Sequence, residues 1–253
     1  MPGVLHRIAQ FIASKLPRIA YPVLLGTLRG HRFILGSLAG AGGGASVYLN
    51  QVEPEQSEAL LGILKPGDIF FDIGANVGYY TLLASKRIGN KGLVYAFEPL
   101  IRNIYYLSRH VNLNHATYVV IISAACADVV NIARFSFGQN TAEGHILTTS
   151  ADIGNVSPKD RSLVPVVTVD AVSALLSVQP NVLKIDVEGA ELAVLQGARA
   201  TLYSARPYIF LSVHSDELRH SCIAFLNTLG YQVKPLNRDI SVPTELLAEP
   251  VAI

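Results

Sequence analysis

The sequence predicts an α/β fold with a largely parallel sheet flanked by helices. Three observations carry that expectation. From Glu55 onward, short apolar runs alternate with segments of helical periodicity. A glycine-rich turn, Gly74-Ala75-Asn76-Val77-Gly78, joins the first apolar run to a helix. An acid, Glu98, closes the second run. The chain has 253 residues, half of them hydrophobic and 15% charged, which suits one elaborated domain with a sizeable core.

Residues 1–52 read as a basic extension. They hold Arg7, Lys15, Arg18, Arg29 and Arg32 with no Asp or Glu, a charge of +5 against +1 for the whole chain. Val4, Leu5, Ile8, Phe11, Ile12 and Leu16 recur at helical spacing, which predicts an amphipathic helix ended by Pro17. Such a helix packs on its own domain or lies on an anionic membrane. The uncharged stretch 33–49 is broken by Gly36, Gly40, Gly42, Gly43 and Gly44, too short and too interrupted to span a bilayer. It predicts a strand at 31–35, a glycine loop that could act as a lid, and a strand at 47–49. No secretory signal is evident, so the expected location is cytoplasmic, with peripheral membrane contact through residues 1–18 as the alternative to packing.

The main domain is expected over 53–253. A short helix at 55–64 precedes Lys65-Pro66-Gly67-Asp68. Strands are expected at 69–73, 93–97, 118–123, 182–186, 207–214 and 231–234, with an edge strand at 240–242. Helices are expected at 80–88, 101–113, 169–176, 191–203 and 217–229. The rhythm breaks at about 131–167. Runs at 132–137 and 164–168 read as strands, and the polar, turn-rich 138–161 between them reads as an inserted hairpin or flap. Net charge gives no nucleic-acid footprint. Cys126 and Cys222 form no CxxC and no zinc spacing.

Asp72-Ile-Gly74-Ala-Asn76-Val-Gly78 carries the strongest chemical signal. Glycines permit a sharp strand-to-helix turn and let backbone approach a ligand. The N–H groups at the next helix start can receive a carboxylate. Glu98, 20 residues beyond Gly78, is placed to accept both hydroxyls of a ribose. The result is a nucleoside site at the carboxyl edge of the sheet. The spacing is not the GxGxxG of nicotinamide cofactors, and no phosphate loop occurs.

Three stretches resemble the FkbM family of S-adenosylmethionine-dependent methyltransferases: Phe71-Asp-Ile-Gly-Ala-Asn-Val-Gly-Tyr-Tyr-Thr, Ala96-Phe-Glu-Pro and Leu183-Lys-Ile-Asp-Val-Glu-Gly-Ala-Glu. Asn112-Leu-Asn114 and Thr168-Val-Asp170 also fit, and the likeness covers roughly residues 53–231. It implies a Rossmann-like class I methyltransferase fold, a seven-stranded, mostly parallel sheet with one antiparallel edge. It implies S-adenosylmethionine as cofactor, S-adenosylhomocysteine as product, and methylation of hydroxyl oxygens on small molecules, sugars or glycans. Carried over by position, Asp72, Gly74, Asn76 and Gly78 would frame the methionine end, with Tyr79 and Thr81 nearby. Glu98, followed by Pro99, would hold the ribose, and Asp128 would face the adenine amino group. Glu53 could close over the cofactor, while Asn103 reads as a helix-surface residue.

A second cluster is Lys184-Ile-Asp186-Val-Glu188 with His214 at the end of the next strand. Lys184 and Asp186 share a strand face, and Asp186 falls at the end that meets the cofactor. Transfer to an alcohol oxygen needs a proton acceptor, so Asp186, Glu188 and His214 are the base candidates. Lys184 would offset negative charge or pair with an acid. The same groups could form a structural ion-pair network. They could also bind a divalent metal, as in catechol-type methyltransferases, although the expectation is a metal-free site. A non-catalytic nucleoside- or membrane-binding module is the other class in play. His6, His31, His110, His115, His145 and His220 are scattered and suggest no metal spacing.

Overall fold

The computed structural model describes residues 16–38, 45–137, 144–147, 161–236 and 244–251. The expected helix over 4–16, most of the glycine loop, the strand at 240–242 and most of 138–160 lie outside the described residues.

Two strands, β1 (Ala20–Pro22) and β2 (Arg32–Ile34), pair as an antiparallel hairpin. The main sheet follows as β3 (Ile69–Ile73), β4 (Leu93–Phe97) and β5 (Val119–Ile122). Then come β6 (Ala125–Cys126), β7 (Asn131–Phe137), β8 (Gly144–Leu147) and β9 (Arg161–Val167), which form a separate four-stranded sheet in the order β6-β9-β7-β8. Three of its strands lie within 131–167, where an inserted hairpin or flap is expected, and β6 precedes that stretch. The main sheet resumes with β10 (Val182–Ile185), β11 (Tyr208–Ser212), β12 (Tyr231–Pro235) and β13 (Glu245–Pro250). Its order is β12-β13-β11-β10-β3-β4-β5.

The antiparallel strand corrects the expectation of an antiparallel edge. β13 runs antiparallel to both β11 and β12 and lies between them, so β12 is the edge. Glu-Leu-Leu-Ala-Glu is composed of helix formers, with Pro250 after it, and carries no strand signal. Burial of Leu246, Leu247 and Ala248 in the sheet overrides that propensity.

Strand alternation sorts the core into two layers. Phe71, Ile73, Leu183, Ile185, Ile209 and Leu211 face one side and pack with Val169, Leu195, Leu202 and Leu226 of the following helices. Phe70, Val94, Val182, Phe210 and Leu247 face the other side and pack with Leu60, Leu82 and Leu83. Val23, Leu28, Phe33 and Val47 of the extension join this second layer. The described part of the extension is therefore built into the body. His110 fastens it: Ile34 N–H donates to Nε2 at 2.9 Å, and Nδ1 meets the Val77 carbonyl at 2.7 Å. A carbonyl can only accept, so Nδ1 carries the proton and the ring is neutral. Burial agrees, pulling His110 down to about 4.

Two local expectations fail. Residues 47–49 are not a strand; Ala45–Tyr48 is a helical turn, whose Tyr48 hydroxyl donates to the Phe33 carbonyl at 2.7 Å and whose Tyr48 carbonyl takes Leu24 N–H at 3.1 Å. Tertiary hydrogen bonds outweigh the β preference of Val47. The helix expected over 191–203 is two helices, Glu191–Gln196 and Arg199–Ser204. Gly197 sits at the break, where a Cβ would lie 2.0 Å from the Ala127 carbonyl oxygen. The Asp170 carboxylate then caps the new start, accepting from Ala200 N–H at 2.9 Å and Thr201 N–H at 2.8 Å.

Candidate active site

β3 is the point where the strand order reverses: β4 and β5 follow on one side, β10 and β11 on the other. In open parallel sheets such a point opens a ligand crevice at the carboxyl ends. Ile73 and Ile185 end their strands in register, so the loops that follow meet there. Gly74 has φ +85°, and a Cβ on it would lie 1.8 Å from the Asp186 carbonyl oxygen. Gly78 has φ +94°, and its Cβ would strike Leu107 at 2.5 Å. Both glycines are thus demanded by contacts within the chain. Asn76 between them also takes the left-handed conformation, at φ 49°.

Glu98 lies beside this turn and is 4% exposed. Its Oε2 accepts from Asn76 N–H and its Oε1 from Leu100 N–H, both at 2.8 Å. The Asn103 side chain adds a third bond. Asn103 is buried, not a helix-surface residue, and it steadies the acid. A carboxylate offers about four acceptor positions, so about one remains for a ribose hydroxyl rather than two. Burial pushes the Glu98 carboxyl up to about 7, against the pull of its three donors. A hydroxyl donor would favour the charged form further, and in this respect the residues present fit an adenosyl ligand. Gly74, Asn76 and Pro99 are partly exposed around Glu98 and complete the rim.

Other cofactor candidates lie beneath that rim. Asp72 is 1% exposed and Thr81 0%, so neither has surface to give a ligand. Thr81 Oγ1 donates to Asp72 at 2.5 Å, tying the helix Tyr79–Ile88 to the end of β3. Tyr79 is buried and stacks edge-on against Tyr80. These three side chains support the site from below. Asp128 follows β6 and is exposed.

Lys184 is also enclosed, at 1% exposure. Its Nζ donates to Asp186 Oδ2 at 2.9 Å and lies 4.5 Å from the Tyr80 ring centroid. Burial alone would pull this ammonium down, but Asp186, Glu53 and Asp72 together hold it well above its ordinary value. Of the two roles expected for Lys184, pairing with an acid is the one its contacts show.

What reaches the surface is Asp186, Glu188 and His214, whose side chains are 29%, 41% and 34% exposed. His214 Nε2 lies 3.6 Å from Asp186 Oδ1 and 3.4 Å from Glu188 Oε2. Its Nδ1 contacts Glu191 Oε1 at 2.6 Å. The bond to Glu191 outweighs burial and, with Glu188 and Asp186, pushes His214 up to about 9. The surrounding carboxylates thus favour the protonated ring in the metal-free chain. Burial opposes ionisation of Asp186, yet Lys184 and His214 hold it below its ordinary value.

Sequence reasoning passed over four residues here. Glu191 closes the quoted Lys-Ile-Asp-Val-Glu-Gly-Ala-Glu motif yet reads as an ordinary helix-start acid; it is fully buried under His214. Tyr80 donates to Glu53 Oε2 at 2.7 Å, and Gln56 Nε2 bridges Glu53 at 2.7 Å to Glu245 at 2.6 Å. Glu245, pushed up to about 7 chiefly by burial and then by Glu53, also accepts from Ser212. Glu53 is held at φ 39° as part of this network beside Lys184. No sequence spacing links positions 53, 80 and 245.

The family model described as Methyltransferase FkbM domain matches residues 72–233. A curated relative, the hexuronic acid methyltransferase AglP of Haloferax volcanii, is 24% identical over 195 residues, covering 74% of this chain and 74% of that protein. A solved structure, an FkbM methyltransferase from Methylobacillus flagellatus, superposes with a TM-score of 0.50 at 19% identity over 81% of this chain. This chain spans 54% of the length of that one, and the likeness concerns the fold.

Proposed function

Because the chain belongs to the FkbM family of S-adenosylmethionine-dependent methyltransferases, we propose that it methylates a hydroxyl oxygen of a sugar, with uronic-acid-bearing glycans as the acceptor class. One observation carries the transfer to a hydroxyl: the carboxylates of Asp186, partly exposed, and Glu188, exposed, stand where the crevice opens, beside the Gly74 turn, and can receive its proton. The relative named for hexuronic acid methylation supports the acceptor class.

S-adenosylmethionine supplies a methyl group on a cationic sulfur; the new O–C bond forms as the S–C bond breaks, its electron pair staying on sulfur. The chain must hold the donor and receive the hydroxyl proton. Glu98 and the turn at Asn76 hold the ribose end. Asp186 and Glu188 are the proton acceptors in this reading, because the three carboxylates around His214 favour its protonated form. Lys184 fixes one Asp186 oxygen and leaves the other toward His214.

The extension has a supporting role in this reading, as a peripheral contact with an anionic membrane through residues 1–18. Residues 1–52 contain no acid, and Leu16, Ile19, Leu24 and Leu25 are exposed. Among the described residues, no helix is long and apolar enough to cross a membrane.

Calorimetry with S-adenosylhomocysteine tests the donor site, and transfer of a labelled methyl group to uronic-acid oligosaccharides tests the acceptor. An alkali-stable methyl ether is expected. An alkali-labile methyl ester overturns the hydroxyl assignment, and absence of homocysteine-adduct binding overturns the whole reading.

A further inference from the structure

We propose that Asp186, Glu188 and His214 hold a divalent cation of the Mn²⁺ or Mg²⁺ kind on the acceptor side of the site. Its use rests on the methyltransferase reading; its binding does not. One ligand atom from each residue lies within 4.8 Å of the other two. The His214 Nε2 separations of 3.4 and 3.6 Å exceed good N–H···O distances. They are near the roughly 3.0–3.4 Å between neighbouring donors that surround one cation at about 2.1 Å.

Two of the three ligands are held from behind. Lys184 takes Oδ2 of Asp186, leaving Oδ1 toward His214. Glu191 Oε1 takes Nδ1 of His214, leaving Nε2 toward the two carboxylates, where a bound dication would displace the proton that the metal-free ring carries. A carboxylate on the far nitrogen is the usual outer-shell partner of a metal-bound histidine. Glu191 is 0% exposed and belongs to the same cluster, and its Oε2 is buried with no hydrogen-bond partner. A fully buried carboxylate with an open oxygen against the imidazole is costly for the fold, and a nearby dication would offset that cost.

The charges agree. With His214 neutral, as a metal ligand must be, three carboxylates, from Asp186, Glu188 and Glu191, share the cluster with one ammonium, from Lys184. A dication would neutralise the excess. It would also let an anionic sugar approach a face that otherwise repels it. Oxygen donors with one imidazole suit Mn²⁺ and Mg²⁺ better than soft metals. Because all three ligand side chains stay partly exposed, positions remain for water and for an acceptor oxygen. A hydroxyl held there would be more acidic and would pass its proton more readily to a carboxylate of the cluster as its oxygen bonds the methyl carbon and the S–C electron pair passes to sulfur.

The experiment uses the full chain, freed of metal with a chelator and titrated with Mn²⁺ while the free-ion electron paramagnetic resonance signal is followed. One saturable Mn²⁺ per chain is expected. Glu188→Gln and His214→Ala should each weaken it at least tenfold, while S-adenosylhomocysteine binding stays at the wild-type level and reports an intact fold. Wild-type protein that binds the homocysteine adduct but no Mn²⁺ overturns the cation site alone. Variants that bind Mn²⁺ as tightly as wild type also overturn it. Protein that binds Mn²⁺ but not the adduct overturns the methyltransferase reading instead.

Discussion

Lys184 bonds Asp186 two residues further along its own chain, Nζ to Oδ2 at 2.9 Å, and it does so from inside the core while Asp186 stays partly exposed. The ammonium lies over Tyr80 and among Asp72, Asp186 and Glu53. Removing one member of a buried ion cluster leaves the others uncompensated, at a cost of about 3–5 kcal/mol. Lys184→Met should therefore lower unfolding stability by about 3 kcal/mol, read from urea melts. It should also slow turnover more than it weakens S-adenosylhomocysteine binding. Wild-type stability in this variant would reject the pairing role.

Donor binding should depend on pH through Glu98. Burial raises its carboxyl to about 7, and a ribose hydroxyl donates best to the ionised form. Affinity for S-adenosylhomocysteine should rise across about pH 6–8 and level off above, falling up to tenfold per pH unit below the transition. In Glu98→Gln the affinity should be weaker and flat. The stability effect has the opposite sign. Glu98 ionises near 4.5 when unfolded and near 7 when folded, so between these values the native state holds the extra proton and stability falls as pH rises. A pH-independent wild-type affinity would contradict the role given to Glu98.

Gly74→Ala should be far more damaging than Gly89→Ala. Both glycines have positive φ, +85° and +67°. At Gly74 the new Cβ falls 1.8 Å from the Asp186 carbonyl oxygen, whereas at Gly89 it meets nothing within 4 Å. The second change should cost about 1–3 kcal/mol, from conformation alone. The first should exceed about 3 kcal/mol and disturb donor binding, because relieving the clash moves the loop that carries Asp186. Chemical denaturation of the two variants compares them directly; equal losses would mean the contact between the loops is soft.

Deleting residues 1–18 should reduce cosedimentation with anionic vesicles and leave S-adenosylhomocysteine affinity unchanged. Arg7, Lys15 and Arg18 are removed, each worth about 1 kcal/mol at an anionic surface. Leu24→Ser with Leu25→Ser should add a further loss, since both side chains are exposed. An intact chain that ignores anionic vesicles would end the membrane assignment.

Most of the sheet was legible because its strands are apolar runs bounded by turns; Ile69–Ile73 and Leu93–Phe97 fall where the pattern placed them. Glu98 and the 74–78 turn were legible for the same reason, since their chemistry lies in consecutive residues. Glu245–Pro250 was not, because its residues favour a helix and only pairing with β11 and β12 makes it a strand. Asn103 was misplaced because a helix-surface position in sequence is a buried one once Glu98 packs against it.

Local sequence by itself determined the alternation of strands and helices, the glycine turn and the acid that follows it, because each depends on residues only a few positions apart. Tertiary structure decided which of the charged groups reach the surface. Lys184 and Asp72 were drawn into the core, while Asp186, Glu188 and His214 were left open over the buried Glu191. Burial and the nearness of unlike charges set that outcome, and both arise only when strands far apart in the chain are brought side by side.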